Sequence, residues 1–187
     1  KHKHSIIEGI KSNPRLLRKW DPIHAENVAD HAGKIAEKMG LEPYLQELVK
    51  KAALVHDIGK ITIPSKILNK DASLTQKELE QIKRHPESGY QILRSVDEYA
   101  SVAMIILSHH EWVDGSGYPE KLKGEDIPLA SRIIAVADSY DAMTSGRIYT
   151  DCKTKEEAIQ ELRACAGSQF DPEVVSVFIE QVLLYGE

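Results

Sequence analysis

Apolar residues recur at helical spacing along almost the whole chain. Val28, Ala32, Ile35, Ala36 and Met39 share one face, and Gly40 ends the helix they predict. A second helix is expected to carry Leu45, Leu48, Val49, Ala52 and Val55, with Pro43 in its first turn. It delivers His56 and Asp57 at its C-terminal end, where Ile58-Gly59 breaks the pattern. Thr75 with Glu78, and Thr154 with Glu157, are T-x-x-E starts in which each side chain bonds the other residue's backbone amide. The first of these helices should run to about Arg84, ahead of His85-Pro86. Asp171-Pro172 reads as an N-cap and a first-turn proline, opening a last helix that buries Val174, Val177, Phe178, Ile179 and Val182. Alternation is confined to Ile61-Thr62-Ile63, too short for a strand. The expected fold is therefore all-α, a compact single-domain bundle of about seven helices. Its longest connection, Asp114 to about Pro128, holds three glycines and two prolines and directly follows His109-His110, which marks it as a candidate functional loop.

Composition narrows the function classes. A chain of 187 residues that is 42% hydrophobic can bury one core. Its net charge of −5 excludes a sequence-independent binder of long nucleic acid, which needs a dominant phosphate-neutralising surface. A small anionic substrate needs only a few local cations. Cys152 and Cys165 fit neither a disulfide framework nor a zinc ribbon, so a reducing compartment is expected. Apolar runs such as Val102 to Leu107 fall far short of the roughly 20 residues of a membrane span. Lys1-His2-Lys3-His4 lacks the apolar stretch of a signal peptide, so a cytoplasmic location is expected, with the chain read as a catalytic piece of a longer polypeptide. On that reading residues 1–20 are a linker or helix leading in from another domain, and 21–187 are the catalytic domain.

The chemistry lies in polar residues that interrupt or terminate apolar helices: His24, His56-Asp57, His85, His109-His110 and Asp138. One histidine at a helix edge is most often structural. Together, these imidazoles and carboxylates offer N and O donors without thiolate, a set suited to Fe, Mn, Co, Ni or Zn. The adjacent His-Asp pair is the most informative element, because a carboxylate can bridge two cations while its neighbour completes the shell of one. Two cations about 3.5–4 Å apart serve phosphate-ester hydrolysis, polarising a shared water at neutral pH. Lys60, three residues after Asp57, can then point the same way and meet a phosphate oxygen.

These residues carry a family resemblance. His56-Asp57-Ile58-Gly59-Lys60, His109-His110-Glu111 with Asp114-Gly115-Ser116-Gly117-Tyr118-Pro119, and Asp138-Ser139-Tyr140-Asp141-Ala142-Met143-Thr144-Ser145 resemble the HD-GYP family, a branch of the HD phosphohydrolases. Ile63-Pro64 with Ile67-Leu68-Asn69-Lys70, Ile127 to Ile133, and Gly167 with Phe170-Asp171-Pro172 are similar to smaller family runs. The resemblance implies an all-α fold and hydrolysis of cyclic di-GMP, a bacterial second messenger, to pGpG and onward to GMP in some members. It implies two divalent transition-metal ions, Fe or Mn first and Zn, Ni or Co as alternatives. One would take His24, His56 and Asp138, the other His85, His109 and His110, with Asp57 bridging. Lys60 and Arg147 match positions that hold substrate phosphates, Lys60 also counting as catalytic with Asp57. Gly117, Tyr118 and Pro119 match the loop that shapes the substrate pocket and docks partners such as a GGDEF diguanylate cyclase. The alternatives are another cyclic dinucleotide or nucleotide as substrate, and a non-catalytic binding or docking module.

Departures from the family pattern leave every expected ligand in place. Trp20 stands where some members carry a glutamate for a third metal, so two metals are expected. Asn27 replaces a frequent arginine, and Thr150 replaces a second arginine beyond Arg147. His31, seven residues and about 10.5 Å along the helix from His24, is expected to be structural. Glu111 is read as a support for a liganding imidazole, a help to a leaving alcohol or an ordinary surface residue, and Asp141 as a cap or the partner of a basic group. Tyr118 either stacks on a guanine or pins the loop.

Overall fold

The structure, a computed structural model, describes residues 5–145 and 151–185, and Arg147 and Thr150 lie outside them. Short helices α1 (Ser5–Lys11) and α2 (Pro14–Leu17) lead into α3 (Pro22–Lys38) and α4 (Pro43–Val55). A 3-10 turn, Ile58–Thr62, and the single-turn α5 (Ser65–Leu68) follow. Next come α6 (Gln76–Ile82), α7 (His85–Arg94), α8 (Ala100–Leu107), α9 (Leu129–Thr144), α10 (Lys155–Ala164) and α11 (Pro172–Val177), the last continuing as a π-helical turn through Phe178–Leu183.

The all-α expectation holds, and there is no strand among the described residues, where an isolated bridge joins Ala166 to Phe170. The helices are more finely divided than about seven, because α2 and α5 are four-residue turns. Ile61-Thr62 closes the 3-10 turn that follows Asp57. Both T-x-x-E starts form reciprocal capping boxes, Thr75 with Glu78 and Thr154 with Glu157. Asp171 caps α11 by accepting from the Glu173 and Val174 amides.

The core centres on α3 and α4, with α3 also packed on α9 and α7 on α8. Val28, Ala32, Ile35, Ala36, Ala52, Ile106, Ile133 and Val136 are fully buried. Small residues at 32, 36 and 52 let α3 and α4 approach closely, as two helices must when they share one face. Ile10 and Trp20 join the same core. His31 packs edge-on against Tyr140 and Phe178, the structural place expected of it. No helix among the described residues is long and apolar enough to cross a membrane.

Candidate metal centre

Five helix ends and one helix face converge on a single point. His24 comes from the first turn of α3, and His56 and Asp57 from the junction of α4 with the 3-10 turn. His85 opens α7, His109 and His110 follow the end of α8, and Asp138 projects from α9. His24, His56, Asp57, His85 and His109 are all buried. Their donor atoms form two sets, each within 4.8 Å: His24, His56, Asp57 and Asp138, and Asp57, His85, His109 and His110. All seven metal-ligand candidates read from the sequence are thus brought together, and Asp57 belongs to both sets.

Asp57 divides its oxygens between the sets. Oδ2 lies 3.3 Å from His56 Nε2 and 3.9 Å from His24 Nε2. Oδ1 lies 3.2 Å from His85 Nε2 and 3.8 Å from His109 Nε2. Asp138 Oδ1 closes the first set, 2.7 Å from His24 Nε2 and 3.4 Å from His56 Nε2.

The backbone decides which imidazole nitrogen faces inward. The last carbonyls of a helix have no amide partner within it. His56 Nδ1 bonds the Ala53 carbonyl at 2.6 Å, His85 Nδ1 the Ile82 carbonyl at 2.7 Å, and His109 Nδ1 the Ile106 carbonyl at 2.5 Å. A carbonyl only accepts, so each Nδ1 carries the proton and, in the neutral ring, each Nε2 presents a lone pair. The His85 and His109 Nε2 atoms stand 3.3 Å apart, an approach of two lone pairs that a cation between them relieves. His24 Nε2 and His56 Nε2 are buried and face the carboxylates of Asp57 and Asp138. N and O donors gathered in this arrangement fit divalent metal ions.

A family model for the HD domain matches residues 6–174. The chain belongs to the HD domain family. Among curated proteins, it is 45% identical over 159 residues to a cyclic di-GMP phosphodiesterase of Thermotoga maritima, covering 84% of this chain and 43% of that protein. It is 40% identical over 159 residues to a 3'3'-cGAMP-specific phosphodiesterase 2 of Vibrio cholerae, covering 84% of this chain and 30% of that one. This HD domain therefore spans less than half the length of these relatives. Among solved structures, an HDG"Y"P protein of Bdellovibrio bacteriovorus shares the fold with a TM-score of 0.71 at 22% identity, over 95% of this chain and 60% of that one. The HD-GYP resemblance read from the motifs holds.

Within this HD domain, Gly59 fixes how the His56-Asp57 corner meets α7. A Cβ there would lie 1.8 Å from the His85 carbonyl oxygen and 2.7 Å from the Gly89 amide nitrogen, so only glycine lets the turn come this close. Lys60, one residue on, turns back so that its ammonium lies 2.9 Å from Asp57 Oδ2. Beside them a cavity of about 450 Å³ opens, walled by His24, Asp57, Lys60, Arg18, Lys19 and Asn69 among others. Arg18 and Lys19 gave no chemical signal in the sequence, and Asn69 showed only within a family-like run.

The loop after α8 is built around Gly117, where a Cβ would lie 2.3 Å from the Trp112 amide nitrogen and 2.6 Å from the His110 carbonyl oxygen. Tyr118 stacks on His110 at 5.0 Å between ring centroids, tilted by 14°, so that face of the ring is taken by a ligand candidate. Lys83 Nζ stands 5.4 Å from the Tyr118 ring centre. Glu111 is neither an imidazole support nor a surface residue. It is buried and accepts from the Glu120 amide at 2.6 Å and the Leu122 amide at 3.0 Å, fastening the loop to the end of α8.

The two sets differ in charge. Burial disfavours a charged His56, but the carboxylates of Asp57 and Asp138 prevail and raise its pKa to about 10. His24 is likewise raised against burial, by hydrogen bonds to Asp138 and Asp141. Burial lowers His109 and His110, with other imidazoles reinforcing the shift. In metal-free protein at neutral pH, His56 therefore holds a proton that a metal ion must displace. Binding should release on the order of one proton per chain and weaken as pH falls. Calorimetric titration of chelator-treated protein in buffers of different ionisation enthalpy measures this, and heats independent of buffer would contradict it.

Proposed function

We propose that this HD domain is a two-metal phosphodiesterase that hydrolyses cyclic di-GMP to pGpG. The observation that carries the proposal is the division of Asp57's oxygens between two imidazole sets. A carboxylate so placed would bridge two ions, and its sharing by two donor sets favours two ions over one. Trp20 is buried and donates its indole N–H to the Leu54 carbonyl at 3.3 Å, so this side chain supplies no carboxylate for a third. Imidazole and carboxylate donors take Fe or Mn, with Zn, Ni or Co able to substitute.

Bound ions would supply a hydroxide nucleophile at neutral pH and charge to balance the phosphate oxygens. His24, His56 and Asp138 would hold one, and His85, His109 and His110 the other. Carbonyl-fixed tautomers keep the Nε2 atoms of His56, His85 and His109 aimed before binding, so little ordering cost is left to the loaded state. Lys60 sits at the boundary between Asp57 and the cavity, where its ammonium can move onto the phosphate oxygen that gains charge as the bond to the nucleophile forms. Arg18, Lys19 and Lys60 along the cavity suit a dianionic cyclic dinucleotide, and Gly117, Tyr118 and Pro119 would shape the substrate pocket from the loop after α8. The same loop would dock a GGDEF diguanylate cyclase, and the domain would work in the cytoplasm.

Lys60→Ala should lower kcat by on the order of 10²-fold with metal content unchanged, because the interaction strengthens in the transition state. Arg147→Ala should mainly raise KM, since a guanidinium that holds a distant phosphate stabilises ground and transition states alike. Steady-state kinetics at fixed metal occupancy checks both. Normal turnover by Lys60→Ala, or metal loss in either variant, would contradict the roles.

The 40% identity to a 3'3'-cGAMP-specific enzyme favours a second reading, in which the hybrid dinucleotide is the substrate. Incubating Mn- or Fe-loaded protein with each cyclic dinucleotide, and resolving products by chromatography, decides between them. The proposal expects pGpG from cyclic di-GMP at the higher kcat/KM. Binding of either nucleotide without product would make the domain a receptor.

A further inference from the structure

His24 is held differently from the other buried imidazoles of the centre. His56, His85 and His109 each rest Nδ1 on the carbonyl three residues earlier, at a helix end. His24 sits instead in the first turn of α3, where the Asp21 carbonyl accepts from the Ala25 amide. Its Nδ1 instead meets a carboxylate, Asp141 Oδ2, at 2.5 Å. Asp141 is buried on α9, one turn beyond Asp138, and its other oxygen accepts from the Asn27 side-chain amide at 3.0 Å. Asn27 is neutral, so the hydrogen bond orients the carboxylate without cancelling its charge.

We propose that Asp141, oriented by Asn27, is a positioning residue that backs His24 and makes the His24–His56–Asp138 half the first and tighter of two metal sites. The inference rests on the binuclear reading above. A carboxylate behind a ligating imidazole fixes its ring and strengthens it as a donor. Counted with every imidazole neutral, as a metal ligand must be, the charges point the same way. The first set holds Asp138 and Asp57, with Asp141 behind His24, whereas the second set has no carboxylate of its own beyond the shared Asp57. An ion entering the second set therefore meets three imidazoles, a shared carboxylate, and the repulsion of an ion already bound nearby. Loading is sequential for any divalent metal, because the asymmetry lies in the protein's own charges.

The test is a titration of the chelator-treated full chain with Mn(II) by calorimetry, repeated with Co(II) by absorption. Wild type should bind two ions in two resolved steps, at least about 10-fold apart in affinity. Asp141→Asn keeps a hydrogen-bond acceptor for Nδ1 but removes the charge, and Asp141→Ala removes both. The first step should weaken by about 10-fold in the former and up to about 100-fold in the latter. Asn27→Ala should shift it in the same direction by less.

A double-mutant cycle separates positioning from general support of the fold. In a His24→Ala background, Asp141→Ala should have no further effect on metal affinity. In a His85→Ala background, which disables the second set, it should still weaken the remaining step. Two ions of equal affinity, or an Asp141→Ala effect that persists without His24, would overturn this inference and leave the binuclear reading intact. A wild-type stoichiometry of one ion would overturn both.

Discussion

Asp57→Ala is expected to abolish hydrolysis, by on the order of 10³-fold or more in kcat/KM, and to lower metal content more than any other single substitution. Every imidazole of the centre serves one set, but Asp57 serves two. Its Oδ1 faces His85 and His109, and its Oδ2 faces His56, His24 and Lys60. Alanine would remove the shared anion that, on the binuclear reading, offsets the repulsion between two neighbouring cations. Burial alone would raise the pKa of Asp57, yet His56 and Lys60 hold it well below the usual carboxylate range. The group is therefore ionised over the whole pH range in which the protein is expected to work, and Asp57→Asn, which keeps its shape, should also fail. Elemental analysis beside steady-state kinetics measures the outcome. Two ions per chain retained by Asp57→Ala would refute the bridge.

Gly59→Ala should cost about 3 kcal/mol of stability, at the upper end of the usual range for overpacking, and lower Tm by roughly 6–12 °C. The obstacle is backbone. An added methyl would sit 1.8 Å from the His85 carbonyl oxygen, and no rotamer change relieves such an overlap. Either the 3-10 turn or α7 must move, and the two carry opposite halves of the centre. Metal content should fall in the His85 set even where the variant still folds. Gly9→Ala is the control: nothing lies within 4 Å of its added Cβ, and α1 should gain up to about 1 kcal/mol from the replacement. Thermal unfolding of the two variants with metal analysis tests the contrast, and equal Tm values would contradict it.

Much of the centre was legible in the sequence because its ligands interrupt apolar helical patterns. Asp138 lies in a run of buried Ile133, Ile134, Val136 and Ala137, where an acid is conspicuous. His56 and Asp57 are adjacent, so their joint role needed no knowledge of the fold. What supports the ligands was less legible, because support depends on partners distant along the chain. Asp141 shares a helical face with Asp138, which was visible, but its partner His24 lies 117 residues away. Glu111 bonds backbone amides, which every residue carries and no side-chain pattern announces. Gly59 showed only as a break in a helix, whereas its use is the closeness of a backbone that comes from α7. The end of the chain differs for a similar reason. The stripe from Val174 to Val182 reads as one α-helix, but its backbone widens to a π turn at Phe178, whose ring packs edge-on against Tyr140 and His31.

The most direct test of the binuclear account is anomalous diffraction from crystals grown with Mn(II) or Fe(II), collected at the metal's absorption edge. The account predicts two peaks about 3.5–4 Å apart, one on each oxygen of Asp57, with His24, His56 and Asp138 around the first and His85, His109 and His110 around the second. A single peak, a third peak beside Trp20, or two peaks that do not share Asp57 would contradict it.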